Sequence, residues 1–228
     1  MLLLTIDSST SAGSVAIVDE KKIIAKSILN LEQTQSQRLM PQIISLLDSC
    51  NYEIDQIDAV GVGVGPGSFT GIRIGLATAS TLAQSLSVPI VGVSTLEAIA
   101  YNLNYSCGYV CAVIPSNRRY VFAALFSGDG HNLKREFEDT LISIDNLIDE
   151  LKEIKESIYF LGDIKEYESD LKAKLNNVKL VDDDFSFPNP TIIAKLAEKK
   201  ITEGKNKSVH EIKPNYLKRP QAEIDWSK

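Results

Sequence analysis

The chain has 228 residues, of which 24 are Lys or Arg and 30 are Asp or Glu. This length suits one large domain or two small ones, and a charged fraction of 24% excludes a disordered or fibrous protein. The net charge of −6 argues against a stand-alone nucleic-acid binder, because such proteins usually present a basic face.

Hydrophobic periodicity predicts a three-stranded antiparallel meander at the start of the chain, followed by alternating helices and strands. The predicted elements are strands at 2–6, 13–18 and 23–29, a helix over 35–50, a strand at 59–64, a helix over 70–86, a strand at 89–93 and a helix over 95–104. Alternation of strand and helix after the meander implies parallel pairing within the same sheet.

The second half repeats this order of elements. The predicted elements are strands at 109–114, 120–127 and 132–137, a helix over 144–154, a strand at 157–161, a helix over 166–175, a strand at 179–181, a helix over 191–201 and an extended tail at 213–219. The repeat indicates an α/β fold of two duplicated, ribonuclease-H-like lobes with mixed sheets and helices. We expect a first lobe at 1–108 and a second, smaller lobe at 109–228 that includes the C-terminal helix and tail.

Charge is unevenly distributed along the chain. Residues 1–110 contain 14 charged residues and 111–228 contain 40, and within 59–117 only Arg73 and Glu97 are charged. The first half is therefore predicted to be shielded from water.

A cytoplasmic protein is expected. Residues 74–96 carry no charge, but their Ser, Thr and Gln side chains are too numerous for a lipid-facing helix. The N-terminus lacks the basic region of a signal peptide. The cysteines Cys50, Cys107 and Cys111 form no Cys-x-x-Cys pair, which suits thiols in a reducing compartment.

Glycines are concentrated between the strand at 59–64 and the helix at 70–86. Backbone N–H groups and the helix dipole favour an anion at such a place, with Gly65, Gly67 and Ser68 as its contacts. The spacing matches neither the P-loop nor the dinucleotide fingerprint. A tight turn that needs positive φ angles explains the glycines equally well.

Asp7, Ser8 and Ser9 follow the first predicted strand. A carboxylate and hydroxyl groups at this place can hold a metal-bound phosphate, as in ATPases of the actin and sugar-kinase kind. The alternative is a turn in which Ser and Thr side chains satisfy backbone groups.

Small residues recur every fourth position on the helix over 70–86. Gly75 inside a helix costs roughly 1 kcal/mol relative to alanine, so another backbone is expected to approach it closely. Packing on the domain's own sheet and a subunit contact both explain this stripe. The apolar face of the preceding helix favours a subunit contact, whose predicted residues are Leu39, Met40, Ile43, Ile44, Arg73, Gly75, Ala79 and Ala83.

Neither a metal site nor a catalytic residue is predicted. His131 and His210 are the only histidines, and both lie in polar surroundings. A zinc hydrolase needs three protein ligands and a base. No Gly-x-Ser-x-Gly nucleophile elbow occurs in the sequence.

Five segments resemble the TsaB family, also called YeaZ. Gly65–Gly75, which reads Gly-Pro-Gly-Ser-Phe-Thr-Gly-Ile-Arg-Ile-Gly, is similar to the family's hallmark. The other segments are Ile6–Thr10, Ser36–Pro41, Val91–Ala98 and Pro214–Pro220. The resemblance is strong over about 1–127 and looser beyond, where Ile164 replaces the last glycine of a Gly-Asp-Gly turn.

The resemblance implies the actin-like ATPase (ASKHA) fold and a non-catalytic scaffold and dimerisation subunit. The implied partners are a catalytic TsaD-type subunit and a TsaE-type ATPase, which together make threonylcarbamoyladenosine beside the tRNA anticodon. The family pattern also implies a homodimer in isolation and contact with tRNA only through the complex. Thr95 and Ile99 occupy the positions of the His-x-x-x-His metal ligands of TsaD.

The resemblance implies no required cofactor, and it is compatible with ATP or ADP and magnesium at the partner interface. In that case Asp7, Ser8, Ser9, Gly65, Gly67 and Ser68 are the vestigial phosphate loops. One alternative is an active ATPase or kinase of the actin-like fold that uses these loops. Another is an M22-type, glycoprotease-like peptidase.

Overall fold

Within the residues that it describes, namely 1–30, 35–206 and 208–218, the computed structural model of the chain has ten strands and six α-helices. The strands are β1 (Leu2–Asp7), β2 (Gly13–Asp19), β3 (Lys22–Leu29), β4 (Ala59–Gly63), β5 (Ile90–Val93), β6 (Cys107–Asn117), β7 (Tyr120–Asp129), β8 (Leu133–Ser143), β9 (Ile158–Gly162) and β10 (Val178–Leu180). The helices are α1 (Gln35–Ser49), α2 (Phe69–Leu86), α3 (Thr95–Ala100), α4 (Ile144–Leu151), α5 (Glu168–Lys174) and α6 (Pro190–Thr202). Short 3-10 turns lie at Ile54–Gln56, Tyr101–Leu103, Lys165–Tyr167 and Asp183–Phe185.

The apolar run at the start of the chain forms the middle strand of the first sheet, whose order is β3-β2-β1-β4-β5. β1 pairs antiparallel with β2 from Leu2–Asp19 to Asp7–Ser14, and β4 pairs parallel with β1. All six residues of β1 are buried, because helices cover both faces of the sheet. The predicted meander and the parallel pairing after it are confirmed.

The second sheet has the order β10-β9-β6-β7-β8. When it is read from β8 to β10 this order repeats that of the first sheet, with β6 to β10 in the places of β1 to β5. β7 pairs antiparallel with β6 and β8, while β9 pairs parallel with β6 and β10. The core on this sheet is built from β-branched, aliphatic and aromatic side chains, including Phe160, Leu147, Ile148, Tyr167 and Leu171. The predicted duplication of one α/β unit is confirmed.

Two compact units contain these sheets. The first comprises Met1–Ala98 and Pro188–Asn215, and the second comprises Ile99–Phe187 and begins again at Tyr216. The predicted division at residue 108 therefore omits the return of the chain to the first unit. The end of the predicted tail at Arg219, and Pro220 beside it, lie outside the described residues.

The final helix, α6, packs on the first sheet, which corrects its expected place in the second lobe. Thr5 Oγ1 donates to the Pro190 carbonyl at 2.8 Å, and Lys200 Nζ donates to the Gly92 carbonyl at 3.0 Å. The apolar face of α6, with Ile193 and Ala197, is buried there. Periodicity identified this face but carries no information about which sheet receives it.

Candidate functional site

The two predicted phosphate loops contact each other at the end of β1. The backbone N–H of Ser68 donates to the Ser9 carbonyl at 2.7 Å, and Ser8 Oγ donates to the Gly71 carbonyl at 2.7 Å. Ser68 also caps α2, because its Oγ accepts the N–H of Gly71 at 3.2 Å. The turn after β1 therefore lies directly on the first turn of α2.

Close approach of this turn accounts for the glycines of α2. A Cβ at Gly71 would lie 2.0 Å from the carbonyl oxygen of Ser8, and one at Gly75 would lie 2.6 Å from Ser8 Oγ. A Cβ at Gly67 would lie 2.2 Å from the Ser9 carbonyl oxygen. The backbone that was expected to approach the small-residue stripe is thus the chain's own.

Helix α1 holds the same turn from another direction. The buried guanidinium of Arg38 donates through Nη2 to the Ser11 carbonyl at 3.1 Å. Gln42, which is also buried, donates to the Ser27 carbonyl on β3 at 3.1 Å. Arg38 belongs to a segment that carries the family resemblance. Its buried contact with Ser11 has a structural role that the sequence did not reveal.

Asp7 lies at the centre of this packed region and is fully buried. Its Oδ1 accepts the Ser9 N–H at 2.9 Å and Ser9 Oγ at 2.8 Å, and Ser9 Oγ lies 2.9 Å from Thr95 Oγ1. Among the described residues its Oδ2 has no hydrogen-bond partner. Desolvation raises the pKa of Asp7 to about 6, although the hydrogen bonds from Ser9 lower it.

These residues do not fit a magnesium-bound nucleotide. Asp7 Oδ2 lies against Gly63, where a Cβ would be only 1.7 Å from it, and the carboxylate has no exposed surface. The N–H groups of Ser68 and Gly71, which a phosphate would need, already donate within the chain. The geometry favours the turn interpretation of both loops.

Replacing Asp7 by asparagine is expected to remove a pH dependence of stability between about pH 4 and pH 7. The folded protein keeps a proton on Asp7 up to its raised pKa of about 6, whereas the unfolded chain loses that proton near the ordinary value of 3.8. Stability therefore falls as pH rises through this window, by roughly 3 kcal/mol in all, and then stays level. Urea unfolding of both proteins at several pH values measures this difference.

Asp145→Asn is the matched control for this experiment. Hydrogen bonds from Arg119 and Lys174 lower the pKa of Asp145 to about 2, so its contribution is lost only when the pH falls below the ordinary value. The control should keep the wild-type slope between pH 4 and 7. Equal slopes for Asp7→Asn and the wild type would contradict the burial argument.

The eight residues predicted for a subunit contact divide into two groups. Five are buried within the first unit, namely Leu39, Ile43, Gly75, Ala79 and Ala83. Met40 is half-buried, Ile44 is 48% exposed, and Arg73 is exposed. Arg73 lies over the ring of Phe69, with its guanidinium carbon 3.9 Å from the ring centroid.

The exposed positions of α1 and α2 form what we call the α1–α2 face. Its residues are Ser36, Gln37, Pro41, Ile44, Ser45, Asp48, Ser49, Thr70, Arg73, Ala77, Thr81, Gln84 and Ser85. Asp48 and Arg73 are the only charged residues in this set. A solvent-facing helix surface normally carries many more charges, so this face shares the low charge of an interface centre.

Two further sequence features have structural explanations in the second unit. Ile164, where the resemblance implies a glycine, is buried in the core of that unit. Gly162 has a φ of 108°, and a Cβ there would lie 1.8 Å from the Val113 carbonyl oxygen.

In the described part of the chain, no group of three or more His, Cys, Asp or Glu side chains could hold a metal ion. None of the helices described is long and apolar enough to cross a membrane.

Comparison with known proteins gives consistent matches over the whole chain. The family model described as "TsaD: tRNA N6-adenosine threonylcarbamoyltransferase" matches residues 22–226. The "tRNA threonylcarbamoyladenosine biosynthesis protein TsaB" of Bacillus subtilis is 31% identical over 228 residues, covering 99% of this chain and 98% of the relative. The Escherichia coli protein of the same name is 28% identical over 231 residues, covering 100% and 98%.

Solved structures support the fold. "YeaZ from Pseudomonas aeruginosa" matches with a TM-score of 0.78 at 22% identity, covering 95% of this chain and 99% of that one. The "Activator of the 2-Hydroxyisocaproyl-CoA Dehydratase from Clostridium difficile with bound ADPNP" matches with a TM-score of 0.50 at 12% identity, covering 95% and 100%. The predicted actin-like fold, with two α/β units, is confirmed.

Proposed function

Since this chain belongs to the family of the TsaD model, and within it to the TsaB proteins, we propose that it is a scaffold subunit in tRNA threonylcarbamoyladenosine biosynthesis. It binds a TsaD-type catalytic subunit, and it pairs with a second copy of itself when that subunit is absent. A TsaE-type ATPase joins the complex, and the complete complex is what modifies tRNA. The protein acts in the cytoplasm.

The observation that carries this proposal is the scarcity of charged side chains on the α1–α2 face. Charged side chains are depleted at the centres of stable interfaces, because burying an unpaired charge costs several kcal/mol. Ile44 supplies an exposed apolar side chain on this face, and the guanidinium of Arg73 lies over the ring of Phe69. Arginine and aromatic residues are the side chains that interfaces favour over lysine and glutamate.

The packed loops around Asp7 support a scaffold rather than an ATPase. An actin-like ATPase needs a carboxylate and backbone donors that face bound nucleotide. In this chain the carboxylate of Asp7 is buried and the donors of Ser68 and Gly71 are used internally. The same loops therefore stabilise the helix α2, which contributes to the α1–α2 face.

Depletion of this chain from its host cell tests the proposal. The threonylcarbamoyladenosine content of tRNA, measured by mass spectrometry of digested nucleosides, is expected to fall and to recover on re-expression. Re-expression of Asp7→Asn distinguishes a scaffold from an active ATPase. A scaffold with this substitution should restore the modification, whereas an ATPase that uses Asp7 should not. An unchanged nucleoside content after depletion would contradict the proposed function.

A further inference from the structure

A cavity of about 350 Å³ lies in the first unit, beside the ends of two parallel strands. It is lined by Val64, Gly92, Lys200, Lys205, Ile212 and Lys213. Val64 follows the last residue of β4, and Gly92 belongs to β5. Open α/β sheets bind their ligands at the carboxyl ends of parallel strands, so the cavity occupies a favourable place.

The segment after α6 forms one wall of this cavity. It returns along the sheet, where the backbone N–H of Asn215 donates to the Val64 carbonyl at 2.7 Å. This wall brings Lys205 and Lys213 to the same opening as Lys200, which lies on α6. The loop with Gly65 and Gly67 comes next in the chain but does not line the cavity.

The lysines around the cavity are only partly neutralised. Lys200 Nζ donates to the Gly92 carbonyl and lies 4.0 Å from Glu97 Oε2, and Lys205 Nζ lies 2.6 Å from Glu203 Oε2. Lys213 is exposed and forms no ion pair with another described residue. Three lysine ammonium groups are thus accompanied by only two carboxylates, those of Glu97 and Glu203. A bound anion would reduce the repulsion between the ammonium groups.

The sequence around the cavity is basic in an otherwise acidic protein. Residues 190–218 contain seven lysines and three glutamates, whereas the whole chain has a net charge of −6. Uneven charge of this kind favours binding of a polyanion at the basic part of the surface.

We propose that this cavity binds a nucleotide through its phosphate, either as part of an RNA strand or as a free nucleotide. Lys205 and Lys213 contact the phosphate, and the apolar side chains of Val64 and Ile212 contact the sugar or base. A volume of about 350 Å³ lies within the range of small-ligand pockets. The choice of a nucleotide over other anions rests on the proposed function in tRNA modification.

Binding by the isolated full-length chain tests this site and requires no partner subunit. Fluorescence anisotropy with labelled tRNA and calorimetry with ADP are carried out on the wild type and on Lys205→Glu/Lys213→Glu. Lys200 is not substituted because its Nζ donates a hydrogen bond to the Gly92 carbonyl. The control, Lys134→Glu/Lys155→Glu, makes the same change in net charge at two exposed lysines of the second unit.

The cavity variant is expected to weaken binding by about tenfold or more at roughly 50 mM salt, and to reduce the salt dependence of tRNA binding by about two ions. Loss of tRNA affinity alone identifies RNA as the ligand, and loss of ADP affinity alone identifies a free nucleotide. Equal effects of the cavity and control variants, or a wild type that binds neither probe, would overturn the proposal. Such a failure leaves the depletion experiment, and with it the proposed function, unaffected.

Discussion

Replacing Gly71 by alanine is expected to destabilise the protein by about 2–4 kcal/mol, although alanine is the better helix former. The added Cβ would lie 2.0 Å from the carbonyl oxygen of Ser8. That oxygen belongs to the backbone between β1 and β2, so it moves only if the packed turn moves with it. Urea unfolding followed by far-UV circular dichroism measures the change.

Ala77→Gly provides the matched control, because Ala77 is exposed on the same helix. It should lower stability by only about 1 kcal/mol through helix propensity. Gly75→Ala should have an intermediate effect, since its Cβ would meet the rotatable Ser8 Oγ at 2.6 Å instead of a backbone atom. A Gly71→Ala protein as stable as the wild type would show that the turn does not pack on α2 as described.

The glycines of α2 illustrate what the sequence could and could not predict. A glycine at position 75 inside a helix predicts that another backbone approaches closely. The nearest atom to a Cβ at Gly75 is instead the side-chain Oγ of Ser8 at 2.6 Å, and the close backbone approach lies one turn earlier, at Gly71. The approaching residue, Ser8, is more than 60 positions away in the chain. Its contact depends on the pairing of β1 with β4, which local periodicity does not encode.

The Asp7 site and the lysine cavity also combine features that the sequence predicts with features that only the structure shows. The sequence placed Asp7 and Ser9 after the first strand and the glycine loop after the strand at 59–64. The structure pairs these two strands and brings the two loops together. It did not reveal that Thr95 would join the network, since a single threonine after a strand carries no distinctive signal. The basic composition of 190–218 was a usable signal, but assigning α6 to the second lobe separated it from β4 and β5.

Interface predictions based on small residues also needed the structure. A stripe such as Gly75, Ala79 and Ala83 shows that something packs closely, without showing whether it belongs to the same chain. In this protein the stripe is interior, so a bulky residue at Gly75 would perturb folding and would give no information about a partner. Tests of the interface must therefore use exposed positions of the α1–α2 face.

Ile44→Glu is expected to weaken binding to the TsaD-type subunit by about a hundredfold, with folding unchanged. Ile44 is 48% exposed on α1, so a carboxylate there is hydrated in the isolated chain. Covering the α1–α2 face with a partner would remove that hydration, and the described part of this face offers Arg73 as its one cation. Biolayer interferometry with the purified catalytic subunit measures the affinity, and sedimentation velocity measures loss of the homodimer.

Ile23→Glu is the control that makes this result specific. Ile23 is 54% exposed on the edge strand β3, so the substitution adds the same charge at an equally accessible apolar position. Because it lies outside the α1–α2 face, its affinity for the catalytic subunit should stay within about threefold of the wild type. Weakening by both variants would indicate a general effect of charge, and weakening by Ile23→Glu alone would move the interface from the two helices to the sheet edge.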